Sequence, residues 1–183
     1  MLSCRFDATL SNSISSGQAI TFVVTADILY GTPIFLRSVC YVQALIVSVT
    51  AASAGNLRVG LYYDSNGYPG AKVFTEAEIT SAGTTGLKRQ NVGLTLPMGW
   101  YWAATQYSST PTMQGDVGLT ANFPATWLGA TNVDAELTSV GITVADTYGV
   151  LPDPFTAGAA LATTNLPRVL MMTGRREPGR PEE

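Results

Sequence analysis

The chain predicts an all-β fold, a sandwich or barrel of short antiparallel strands. Runs of β-branched and aromatic residues alternate with the period of two that a half-buried strand requires. Turn chemistry separates them at the spacing of roughly 8–12 residues typical of such folds. No segment sustains helical periodicity. At 183 residues the chain suits one such domain. A chain of that size hides roughly 70% of its unfolded surface, enough for a core without disulfides or metals.

Residues 1–18 are polar and Ser-rich and read as an arm or lead-in, 19–173 as a single β domain, and 174–183 as a charged tail. Ile20 to Ala26 is the first clear strand, and Gly31-Thr32-Pro33 is read as a break before Ile34-Phe35-Leu36 begins a return strand. Val39 to Thr50 is the strongest strand signal. Apolar residues occupy both of its alternating sets, Val42, Ala44 and Ile46 against Leu45, Val47 and Val49. That pattern suits a central strand packed on two sides or one at a subunit interface, so Leu45, Val47 and Val49 are candidate interface or inter-sheet positions.

Leu57 to Tyr63 alternates again and ends in Asp64-Ser65-Asn66-Gly67, a turn because Asn-Gly tolerates positive φ. Ala71 to Ile79 reads as a strand with Phe74, Glu76 and Glu78 on one side. Trp100-Tyr101-Trp102 then places both tryptophans on one face, as anchors for a sandwich core. From Ser108 to Ala160, Pro and Gly describe long loops around short strands such as Val140 to Val144. Arg168 to Thr173 returns to the sheet. The polar tail is read as a solvated end or as a strap that orders on a neighbour.

Composition narrows the function classes. Only 13% of residues are Asp, Glu, Lys or Arg, against about 25% in ordinary domains. A Thr-rich, weakly charged surface suits contact with another subunit, where desolvating charge is costly. The net charge of −3 and scattered basic residues argue against nucleic acid. No apolar run approaches the roughly 20 residues of a membrane helix, and the first residues lack the order of a signal peptide.

The same residues leave little for chemistry. The chain has no histidine, so a Ser-His-Asp or Cys-His site cannot be written. Two cysteines without histidine make a zinc site unexpected. Cys40 is expected as a buried reduced thiol, with a Cys4–Cys40 disulfide the less favoured alternative. Glu76 and Glu78, two apart on a strand, would sit at about 6–7 Å, a separation that touches the glycosidase range. Charges lining a solvent-facing strand edge are the favoured reading. Asp64-Ser65-Asn66-Gly67 opens like a calcium loop but departs from that pattern at Tyr68-Pro69. No cofactor is expected.

The segment from Leu29 to Thr112 resembles a recurrent bacteriophage virion domain. The likeness rests on Leu29 to Pro33, the strand Ile46 to Thr50, and Leu57-Arg58-Val59-Gly60-Leu61-Tyr62-Tyr63-Asp64-Ser65-Asn66-Gly67-Tyr68-Pro69-Gly70. Thr84 to Lys88 and Leu94 to Trp102, with its L-x-x-G-x-Y-W pattern, complete it. Sequences with this order are similar to phage tail-fibre, tail-tip and head-surface proteins. The resemblance covers a little under half the chain closely. It implies a jelly-roll-like β-sandwich, often a trimer, without a catalytic site.

The expected role is therefore a non-enzymatic virion protein, assembled in the host cytoplasm and partnered by itself and by major capsid or tail proteins. It would act as a decoration protein, head fibre or tail-fibre component. The alternative, from a different class, is a host-glycan-binding module. Tyr63, Tyr68, Tyr107 and Trp127, placed in turns or loops, are its candidate contacts.

Overall fold

The computed structural model describes residues 9–11, 19–79, 83–116, 141–162 and 165–174. Thirteen strands run in chain order among the described residues: β1 (Thr9–Ser11), β2 (Ala19–Val23), β3 (Ile28–Leu36), β4 (Cys40–Ala51), β5 (Leu57–Ser65), β6 (Tyr68–Lys72), β7 (Gly86–Leu96), β8 (Gly99–Tyr107), β9 (Thr112–Asp116), β10 (Ile142–Ala145), β11 (Ala160–Leu161), β12 (Leu166–Pro167) and β13 (Leu170–Gly174). All pair antiparallel, in two sheets.

Strands β2 to β9 have jelly-roll topology. In the first sheet β2 pairs β9, β9 pairs β4 and β4 pairs β7; in the second β3 pairs β8, β8 pairs β5 and β5 pairs β6. Successive strands mostly alternate between sheets, so the two layers interlock as a pair of Greek keys. The second sheet is extended past β3 by β10 and β11. In the first, β12 pairs β9, and β13 pairs β4 with β1 on its other side. Residues 9–11, assigned by sequence to the arm, thus belong to the sheet.

A bulge explains why both alternating sets of β4 are apolar. Between Val42 and Ala44 the strand advances two residues while β7 advances three, from Leu94 to Asn91, and β13 advances only one. The side-chain parity switches there. Val42 before the bulge and Leu45, Val47 and Val49 after it therefore enter the same inter-sheet core. The three candidate interface positions are 0–1% exposed; they join the sheets to each other and present no surface to a second subunit.

Pro33 does not break β3. The ladder with β8 passes through Pro33↔Trp102, while pairing with β10 stops at Gly31. Beyond Gly31 only one side of β3 is paired, so proline's missing N–H costs little. The Asn66-Gly67 hairpin follows the sequence reading. Both residues have positive φ, at 56° and 82°, as a two-residue turn with the strands' own twist demands. Asp64 Oδ2 accepts from Gly67 N at 3.2 Å and its Oδ1 from Trp102 Nε1 at 2.8 Å, so both carboxylate oxygens bind within the fold.

The described residues form two apolar cores. The larger lies between the sheets and includes Leu36, Leu45, Leu61, Tyr101, Tyr107 and Met171. The second lies on the outer face of the β3-β8-β5 sheet, where Leu29, Tyr62, Trp102, Ala104 and Ile142 meet Leu151 and Phe155 of the segment after β10. Trp102 therefore anchors this outer core and not the sandwich interior, a correction set by the parity of β8: Tyr101 and Ala103 point inward. Gly60 makes the outer core possible. A Cβ there would lie 2.5 Å from Leu151 Cδ1, so a side chain at this position would force Leu151 to shift from its seat on the sheet.

Candidate contact surfaces

The segment following β6 is where the sequence reading departs most from the structure. Residues 73–79 form no regular strand beyond one bridge, Leu57↔Ile79. They close the flank of the sandwich, with Val73, Phe74 and Ile79 packed against the inner core. Glu76 turns the other way, and its side chain is fully buried. Its Oε1 accepts from Leu151 N at 2.7 Å and lies 3.6 Å from Arg58 Nη1, and its Oε2 lies 3.2 Å from Lys72 Nζ. Lys72 Nζ also donates to Leu151 O at 2.6 Å.

Arg58 reaches Glu78 at 3.7 Å and lies over the Tyr148 ring, whose hydroxyl donates to Glu78 at 2.9 Å. The two carboxylates thus share one guanidinium. Glu76 departs from the solvent-facing reading, whereas Glu78 stays exposed; a fully buried Glu76 cannot reach a substrate as one half of a glycosidase pair. A fully buried carboxylate with every contact internal is a clamp, and what it clamps is the segment 146–155 against β5 and β6. The signal missed in the sequence was tertiary, since Arg58, Lys72 and Leu151 are far apart along the chain.

The aromatic candidates divide. Tyr107 is wholly buried and its ring meets Tyr30 edge-on at 6.1 Å; it closes β8 on the inner face and cannot touch a ligand. Tyr68 is half-buried and works as a strap: its hydroxyl donates to Thr156 O at 3.0 Å and accepts from Ala159 N at 2.9 Å. Of the three described candidates Tyr63 alone stays on the surface, 44% exposed beside Tyr101. Trp127 lies outside the described residues, as do most of residues 1–18 and the tail beyond Gly174. Cys40 is disulfide-bonded, which corrects the expected reduced thiol. That expectation rested on the apolar strand around Cys40 and on redox compartment; Cys4 lies outside the described residues.

Two buried tyrosines give the fold an alkaline limit. Burial chiefly lifts the Tyr62 hydroxyl far above its ordinary range, and the charges of Glu76, Asp153 and Asp146 add to it. Burial likewise lifts Tyr107. In the unfolded chain both would ionise near pH 10. Above that pH the unfolded state has lost protons that the folded state keeps, so stability falls as pH rises. Urea midpoints are expected to hold up to about pH 10 and decline beyond it, with Tyr62→Phe flattening the decline.

Among the described residues, two surfaces are candidates for contact with a partner. The first is one end of the sandwich, where β3 passes to β4 and β7 to β8, as the pairings Leu36↔Gly99 and Cys40↔Leu96 show. Met98, Val39, Tyr63 and Phe35 are 63, 57, 44 and 41% exposed there. Phe35 meets Trp100 at 5.0 Å between ring centroids, and exposed Arg37 lies between Phe35 and Val39. The covering segment that buries Trp102 leaves this pair uncovered. The sequence hint was available, since Val39-Cys40 and Pro97-Met98-Gly99 are apolar residues placed at turns.

The second surface is a shallow depression of about 390 Å³ on the outer face of the first sheet, lined by Tyr41, Gln43, Arg89, Asn91, Val92 and Gly93. It lies at the bulge. Gly93, at φ 72°, takes up the extra residue of β7, and glycine is the residue such a bulge favours. Among the described residues no cluster of three or more metal-ligating side chains occurs. Comparison with protein-family models and with curated protein sequences finds no match to the chain.

Proposed function

We propose that the chain is a non-enzymatic structural protein of a bacteriophage particle. It is an oligomeric β-sandwich on the outside of the virion, serving as a capsid decoration or head fibre, or as a tail-fibre or tail-tip component. The observation that carries this is the apolar end formed by Phe35, Val39, Tyr63, Met98 and Trp100. Aromatic residues, Met and Arg are the types enriched where protein surfaces meet, and an exposed apolar cluster of this kind marks a contact site. The resemblance of Leu57 to Gly70 and Leu94 to Trp102 to virion domains supports the particle as the setting. Jelly-roll topology, common in capsid proteins, is consistent with it.

The test is oligomeric state. Size exclusion with light scattering is expected to give an oligomer, with a trimer favoured. The double variant Val39→Asp, Met98→Asp should dissociate it without lowering the melting temperature of the monomer, because both side chains are more than half exposed. A wild-type monomer at micromolar concentration would sink the reading. The second reading, a host-glycan-binding module, is favoured by one feature, the polar depression at the bulge.

A further inference from the structure

We propose that the depression between β4 and β7 binds an acidic saccharide, one whose sugar ring carries a carboxylate. This rests on the glycan reading and names its ligand class. A volume of about 390 Å³ falls at the small end of ligand sites, which run from about 300 to 1,000 Å³, and suits one or two sugar rings. Its shallow form suits a ligand that arrives as part of a longer chain.

The lining matches that chemistry. Tyr41 provides a ring face for apolar C–H edges of a sugar, and Gln43 and Asn91 carry the paired donors and acceptors that hydroxyls need. Arg89 is the one charged residue among the described lining residues, in a chain of net charge −3. One cation among neutral hydrogen-bonding groups selects a polar ligand with one anion. The guanidinium fork matches a carboxylate in two parallel hydrogen bonds.

The groups are also held in place. Arg89 Nε donates to Asn91 Oδ1 at 2.8 Å, which orients the guanidinium and leaves Nη1 and Nη2 without a protein partner among the described residues. Gln43 lies across Gly174 of β13, where any side chain would collide with its amide. Gly93, within ordinary contact distance of the Tyr41 hydroxyl, is held at a positive φ of 72° that disfavours any side chain. The bulge that switches the parity of β4 is thus also what opens the surface above it.

Galacturonic acid and sialyllactose, each beside its neutral methyl ester, test the proposal by titration calorimetry with the full chain. At least one acid is expected to bind saturably, and its ester about 10–100-fold more weakly, the weight of a hydrogen bond to a charged group. Arg89→Gln should weaken the acid by the same factor, weaken the ester far less and leave the melting temperature unchanged, while Arg89→Lys restores part. Equal binding of acid and ester, insensitive to Arg89→Gln, overturns the acidic class and leaves the glycan reading standing. No saturable binding of any of the four overturns the proposal. Absence of retention on neutral polysaccharide in addition removes the glycan reading itself.

Discussion

Replacing Glu76 with alanine is expected to destabilise the fold by roughly 3–5 kcal/mol, the usual consequence of removing one partner from a buried ion pair. The carboxylate has no exposed surface, and its partners Arg58 and Lys72 are only 13% and 10% exposed. Its loss strands Lys72 in a poorly hydrated position and leaves the Leu151 N–H without its acceptor; Arg58 keeps Glu78. For a chain of this length that corresponds to a melting temperature lower by about 10 °C. Glu76→Gln should fall between wild type and alanine, since it retains an acceptor for Leu151 but not the charge. Limited proteolysis should find the first new cuts in residues 146–155. Unchanged stability in Glu76→Ala would show that the clamp contributes nothing.

Leu45→Ala is the second large effect, about 2–5 kcal/mol for a core truncation that leaves a cavity. Leu45 is 0% exposed in the inter-sheet core, so the loss should appear in chemical denaturation with the elution volume of the folded protein unchanged. A shift to a smaller species at unchanged stability would instead return Leu45 to a subunit interface. The contrast with Val39→Asp, Met98→Asp is direct: one change should weaken the fold and spare the assembly, the other the reverse.

Local chemistry made most of the fold legible. Asn66-Gly67 fixed a hairpin because few residues tolerate its two positive φ angles, and the alternation of Leu57 to Tyr63 placed one face inward. What escaped were features that need a partner from elsewhere in the chain. The bulge opposite Gln43 is invisible without the registers of β7 and β13, so Leu45 read as belonging to a second face. Trp102 looked like a sandwich anchor because parity says which residues share a face but not which face has the thicker cover. Tyr68 and Tyr107, read as loop aromatics, lie at strand ends, and strand boundaries are the least certain part of any sequence reading. Glu76 looked solvent-facing because a carboxylate usually is; only Arg58, Lys72 and Leu151 make its burial tolerable. The depression around Arg89 had no sequence signal, being a product of the bulge.

The interlocked strand order has a consequence for biosynthesis. Each sheet pairs early residues with late ones, Leu29 with Gln106 and Ala19 with Asp116, and β13 slots between β4 and β1. A nascent chain therefore cannot finish either layer before its ninth strand has left the ribosome, nor protect the flank of β4 before residue 174 arrives. Such distant pairings fold slowly, and half-made sheets expose sticky edges meanwhile. Yield in a host cell should depend on temperature and translation speed more than on the stability of the finished protein.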